Sequence, residues 1–292
     1  MTTKKQLNIF EFRHENGDVF TYNNLAHEYK LNGVELPGTT TPLTLVNEVS
    51  WDANGKMSDK TGIIKNWAIN LVTSDILEKI KGKTLTEEEI CVIVLEAKKK
   101  PNQRFKDAGI SGTTIHEEIE DIIKTCIDTG MDIRAVKSEH KQVQNFVDWA
   151  IKNDVKFLFS EEPIYSKEWM NCGTVDFICE IDGKVLVGDI KTNGDKRRYE
   201  WNTKTNSYNL DKPVSDIHIP ALWQTGAYGK MATEVNARKL IDKFDGVVVV
   251  NIKKSGEFDE KLDVRYDYNV KSLIEAYDHV IGLYKMFRNK YN

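Results

Sequence analysis

The run from Cys172 to Thr192, CGTVDFICEIDGKVLVGDIKT, constrains this chain more than any other stretch. Its first half alternates, with Val175, Phe177 and Cys179 on one face of a strand and Asp176, Ile178 and Glu180 on the other. Asp182-Gly183 between two β-rich runs is a strong hairpin signal. Val185-Leu186-Val187 opens the return strand, which ends in Asp189-Ile190-Lys191. An acid and an amine two residues apart project from one strand face, and Asp176 across the hairpin can reach the same spot. Two carboxylates and a lysine gathered there carry a desolvation and repulsion cost that a divalent cation offsets. The hairpin therefore reads as a metal-dependent phosphodiesterase centre. The plainer alternative is that strand-end Asp and Lys are solvated surface groups.

A chain of 292 residues can bury one sizeable core, or a core with a smaller appendage. No apolar run approaches transmembrane length. The opening MTTKKQLNIFEFRHENGD lacks the apolar centre of a signal peptide, and its acids argue against a transit peptide, so a cytoplasmic location is expected. Cys91, Cys126, Cys172 and Cys179 form no Cys-x-x-Cys pair, which argues against a zinc ribbon or disulfide framework; reduced, mostly core thiols are expected. A net charge of −4 is not that of a protein coating nucleic acid indiscriminately. Polyanion contact would fall to local patches: Lys98-Lys99-Lys100 with Arg104 and Lys106, and Lys196-Arg197-Arg198.

Along the chain, residues 1–60 mix short strand-like pieces (Val19 to Tyr22, Tyr29 to Leu31) with turns, among them Asn32-Gly33 and the polar segment Leu36 to Pro42. Helical spacing predicts a helix from about Gly62 to Ile80. Thr86-Glu87-Glu88-Glu89 is a capping box for a second helix, expected to close before Pro101. Ser111-Gly112-Thr113-Thr114 precedes a third, with His116 and Glu120 one turn apart beside its apolar stripe. Read alone, such a histidine is more often a partnered boundary residue than a ligand. A fourth helix covers about Ser138 to Asn153, with Val143, Phe146, Val147 and Ala150 inward. Strands then run through Val155 to Tyr165 and the hairpin. Residues 193–218 read as a long polar loop, in which Arg197, Arg198, Tyr199 and Trp201 suit backbone tracking and base stacking, or else pack locally. A helix over Ile219 to Val235 carries Gln224 and Tyr228 on one face. Gly246 to Val250 is a buried strand, and a last helix over Val270 to Arg288 has a core stripe from Leu273 to Phe287.

In order, Gly112-Thr113-Thr114-Ile115-His116 resembles a Gly-Thr-x-x-His helix start. Gly173-Thr174-Val175-Asp176 resembles a Gly-x-x-Asp strand, Asp189-Ile190-Lys191-Thr192 an Asp-x-Lys-Thr strand, and Gln224 to Tyr228 a Gln-x-x-x-Tyr helix. With Glu161 on the preceding strand, this set is similar to the PD-(D/E)XK nuclease superfamily, in its RecB-like exonuclease branch. Leu36-Pro37-Gly38-Thr39-Thr40-Thr41 is similar to the Leu-Pro-Ser-Val-Thr segment of phage and mitochondrial genome maintenance exonucleases, with Gly38 and Thr39 departing from Ser-Val. The similarity covers roughly residues 29–252, and it is the ordered set of motifs rather than any one of them that is specific.

The resemblance implies an α/β (α+β) fold: a restriction-endonuclease-like core with a central mixed β-sheet flanked by helices. Residues 1–110 would form a mostly helical extension or cap packed on a nuclease core of 111–292, the two making one compact unit. It implies one or two Mg²⁺ or Mn²⁺ ions held by Asp176, Asp189, the Ile190 carbonyl and His116, and no iron–sulfur cluster. Glu161, with Glu162 as second choice, would contact a metal-bound water. Lys191, its pKa lowered, would hold or deprotonate the attacking water. Gln224 and Tyr228 would orient the scissile phosphate. The activity implied is a DNA exonuclease on single strands or frayed ends, serving replication or recombination, monomeric rather than a ring, with no membrane association. A flap endonuclease and a non-cutting nucleic-acid-binding subunit are the alternatives.

Overall fold

The computed structural model describes residues 9–13, 17–23, 26, 28–47, 49–51, 57–193, 198–202, 207–214, 217–234, 240–253 and 262–291. The elements begin with an antiparallel meander, β1 (Ile9–Arg13), β2 (Val19–Asn23), β3 (Glu28–Leu31) and β4 (Val34–Leu36), followed by α1 (Thr40–Asn47). A small ribbon, β5 (Val49–Trp51) and β6 (Met57–Asp59), precedes helices α2 (Lys60–Ile80) and α3 (Glu87–Thr129). After a 3-10 turn come α4 (Lys141–Lys152), β7 (Lys156–Ser166), β8 (Asn171–Ile181) and β9 (Lys184–Asn193). The chain continues through β10 (Arg198–Asn202), β11 (Ser207–Val214), α5 (Ile219–Glu234), β12 (Gly246–Lys253), β13 (Leu262–Asp267) and α6 (Val270–Tyr291). Among the described residues, no helix is long and apolar enough to cross a membrane.

Two compact units divide the chain: Met1–Leu45 with Glu117–Asn292, and Val46–His116. The expected division at 110 differs on both sides, since residues 1–45 are mostly β meander and group with the larger unit, and the helical part begins later. In the smaller unit the capping box forms as expected, Thr86 N–H donating to Glu89 Oε2 at 2.8 Å and Glu89 N–H to Thr86 Oγ1 at 3.2 Å. Asp75 on α2 is almost wholly buried and meets Lys79 and, from α3, Lys100.

The centre of the larger unit is a five-stranded mixed sheet in the order β13-β12-β9-β8-β7, with β12 and β9 parallel and the other pairs antiparallel. Helices flank it. Phe177 on β8 meets Phe146 and Trp149 of α4, whereas Val247 and Val249 on β12 pack against Ala221 and Leu222 of α5 and Leu273 of α6. Strands covered on both faces are mostly apolar, and all of β12 is buried, Asn251 and Lys253 included.

Four expectations give way. One helix, α3, runs where two were expected, with Pro101 inside it. Proline forfeits one main-chain bond but keeps a helical φ, and the helix-forming Lys98 to Lys100 and Gln103 to Lys106 carry the helix past it. Residues 193–218 are not one loop: β10 and β11 pair antiparallel, with an irregularity between Tyr199 and Glu200, as the β propensity of these aromatics permits. Phe287 is 54% exposed, whereas Leu273, Tyr277, Val280 and Ile281 of the same stripe are buried and Tyr284 is half-buried. Of the four free thiols, Cys172 and Cys179 are buried, but Cys91 is exposed.

Candidate active site

The β8–β9 hairpin forms as its turn chemistry demands, with Asp182 and Gly183 at φ +51° and +72°. Its ladder runs from Ile181↔Lys184 to Phe177↔Gly188. Beyond Gly188, the Asp176 carboxylate accepts the Ile190 N–H at 2.6 Å, a side chain doing what the main chain did further down the hairpin. On its other edge β9 is held by β12, in register Val249↔Asp189 and Asn251↔Lys191. Asp189 and Asp176 therefore stand on adjacent inner strands, each fixed from both sides.

Asp189 is 1% exposed, and Lys191 Nζ lies 2.8 and 2.7 Å from its two carboxylate oxygens. That the pair shares a face follows from the two-residue period. From α5, Gln224 Oε1 comes within 3.5 Å of Lys191 Nζ, while Gln224 Nε2 donates to the Tyr228 hydroxyl at 2.7 Å. Burial pulls the Lys191 pKa down, but Asp189 and Asp176 outweigh it and hold the amine above its ordinary value. Among the side chains themselves, then, the two carboxylates favour Lys191 as an ammonium; the lowered value expected of it belongs to a site that also holds metal cations. Burial raises Asp176, against the opposing pull of Lys191 and the Ile190 N–H, with Glu120 adding to the rise. Tyr228 is raised by burial and by Asp189 and Asp176.

The pairs Ser160↔Phe177 and Glu162↔Val175 set Glu161 opposite Asp176 in the β7–β8 ladder. Glu161 has φ +51°, a left-handed conformation that costs a non-glycine residue about 1–2 kcal/mol. Burial, then Asp176 and Glu120, push its carboxyl up to about 8, with Lys124 pulling the other way. Between the two candidate glutamates, Glu161 is the one opposite Asp176. Glu120, ion-paired to Lys124 on α3, joins the acids, a role the sequence reading did not give it. Its signal was its place one turn after His116.

The structure thus brings together Asp176, Asp189, Ile190, Lys191, Glu161, Gln224 and Tyr228. His116 is the last residue of the smaller unit, on α3. Arg198, Tyr199 and Trp201 lie on β10 of the separate two-stranded sheet, and Arg197 lies outside the described residues.

The Pro37–Thr39 segment is fastened to the start of β8. Thr39 N–H and Oγ1 both donate to the Cys172 carbonyl, at 2.6 and 2.7 Å, and Asn171 Nδ2 donates to the Pro37 carbonyl at 2.7 Å. The Tyr277 hydroxyl of α6 lies 3.0 Å from the Thr39 carbonyl and 2.9 Å from Asn171 Oδ1. Gly173 follows, and a Cβ there would come 2.5 Å from the Tyr228 ring and 2.8 Å from Thr39 Oγ1. The segment therefore bounds the wall against which Tyr228 rests.

Among the described residues, no group of three His, Cys, Asp or Glu side chains is disposed to hold a metal ion as it stands. The chemistry of these side chains nevertheless fits a hard divalent cation: Glu161 and Asp176 are half-buried carboxyls whose pKa values burial and neighbouring acids raise. A scan against protein-family models finds no match to the chain, and neither does a search of curated proteins.

Proposed function

We propose that this protein is a divalent-metal-dependent deoxyribonuclease with a restriction-endonuclease-like core, an exonuclease on single-stranded or frayed DNA ends. The observation that carries the reading is the Asp189–Lys191 pair on inner strand β9, with Asp176 bonded across the hairpin and Glu161 opposite Asp176. The mixed five-stranded sheet supports it. Asp176, Asp189 and the Ile190 carbonyl would hold Mg²⁺ or Mn²⁺, with Glu120 and Glu161 as further oxygen donors. Bound there, the cation would supply charge neutralisation at the phosphate and acidify the attacking water. Lys191, kept charged, donates to that water or to a phosphoryl oxygen and stabilises negative charge there. Gln224, steadied by Tyr228, orients the scissile phosphate.

One observation favours a second reading, a non-cutting nucleic-acid-binding subunit: both oxygens of Asp189 already engage Lys191. End-labelled linear and covalently circular single-stranded DNA, incubated with Mg²⁺, Mn²⁺ or EDTA, separates the two. Metal-dependent shortening of the linear strand with the circle spared is expected. A cut circle favours an endonuclease, and no cleavage with either metal leaves the binding subunit.

A further inference from the structure

The β1–β4 meander has two unlike faces. One cross-strand row reads Phe10, Tyr22, Tyr29, Leu36, and the row behind it reads Glu11, Thr21, Lys30, Glu35. The aromatic row grades from the surface inward: Phe10 is 51% exposed, Tyr22 half-buried, Tyr29 and Leu36 buried. Its rings are stacked, Phe10 on Tyr22 at 6.4 Å and 25°, and Tyr22 on Tyr29 at 4.6 Å and 11°. The inner end reaches the acid site. The Tyr29 and Thr174 hydroxyls are 2.9 Å apart, and Thr174 stands two residues before Asp176 on the same face of β8. Tyr22 itself lies within range of the charges of Glu161 and Glu120.

We propose that Phe10 and Tyr22 form a stacking platform for an unpaired base next to the phosphodiester held at Asp176 and Asp189, selecting single-stranded over paired ends. This rests on the nuclease reading and names its substrate subsite. The neighbouring acids disfavour a phosphate against Tyr22, so the part of a polynucleotide that suits this row is its uncharged, planar part. Every base has a π-face, so such a platform favours an unstacked base without reading its sequence. A duplex end, whose bases are stacked and paired, must fray to use it.

Two labelled single strands test this by fluorescence anisotropy in EDTA, where no cleavage occurs: one with all its bases, the other abasic at its terminal nucleotides. The wild type binds the complete strand about tenfold more tightly. Phe10→Ala and Tyr22→Ala lose that preference, whereas Tyr22→Phe keeps it. If Tyr22→Ala does not fold, the half-exposed Phe10 gives the answer. A wild type that binds both strands alike, or neither, overturns the platform, as do alanine variants that keep the preference. Adding Mn²⁺ to the same strands reads the nuclease separately: base-dependent binding without shortening sinks cleavage and leaves the platform standing.

Discussion

The ring of Phe177 lies directly over Gly188, its partner across the β8–β9 ladder, so closely that a Cβ at 188 would meet ring atoms at 2.1 Å. Phe177 cannot retreat, because Phe146, Trp149 and Phe157 enclose it. Gly188→Ala should lower stability by about 1–3 kcal/mol, the range for overpacking a well-filled core. Urea unfolding measures it, and a midpoint equal to that of the wild type would show that the ring moves freely.

Lys191 carries charge rather than structure in the proposed reaction. Lys191→Ala should reduce turnover roughly 100-fold or more, the scale for losing one preorganised donor to developing charge. Single-strand affinity in EDTA should stay within a few-fold. Cleavage at the wild-type rate would remove the lysine from the chemistry.

Asp176 and Asp189 are the proposed cation ligands, so binding should appear without any DNA. Mn²⁺ at about 100 times its dissociation constant should stabilise the wild type by roughly 2.7 kcal/mol. Asp176→Ala should abolish that gain while circular dichroism shows the fold retained. Equal stabilisation of wild type and variant would place the ion elsewhere.

The Glu161 carboxyl is held up to about 8, against an ordinary 4.5. Below about 4.5 both folded and unfolded chains keep the proton. Between about 4.5 and about 8 the unfolded chain releases it while the folded chain retains it, so stability falls as pH rises through that window. In EDTA, Glu161→Gln should flatten this part of the melting-temperature profile. An unchanged slope would assign it to other groups.

Tyr277 joins α6 to the Pro37–Thr39 segment through its hydroxyl. Tyr277→Phe removes the one proton that the Thr39 carbonyl and Asn171 Oδ1 share inside the core, a loss of about 1–3 kcal/mol. Chemical denaturation tests it, and a variant as stable as the wild type would show that water replaces the hydroxyl.

What was legible in the sequence was local. The hairpin followed from Asp182-Gly183, the shared face of Asp189 and Lys191 from the strand period, and the Gln224–Tyr228 bond from one helical turn. Val143, Phe146, Val147 and Ala150 are buried as their spacing predicts. What was not legible depends on partners distant in the chain. Glu120 comes within range of Glu161 and Asp176 only through segments distant in the chain, and its place one turn after His116 assigns it no role by itself. The direction of the Lys191 pKa is a balance of burial against two carboxylates, which composition cannot weigh. Pro101 and the Ser111-Gly112 pair signalled helix ends, and neighbouring helix formers overrode them.

The hydroxyl of Tyr277 and the carbonyl of Thr39 are separated by most of the polypeptide, yet they close one knot beside β8. During synthesis, Thr39 can close on Cys172 once β8 has emerged, but the knot is left open until α6 brings Tyr277. Nascent chains halted before α6 should therefore be cut by protease near residues 37–39, and released full-length protein should not.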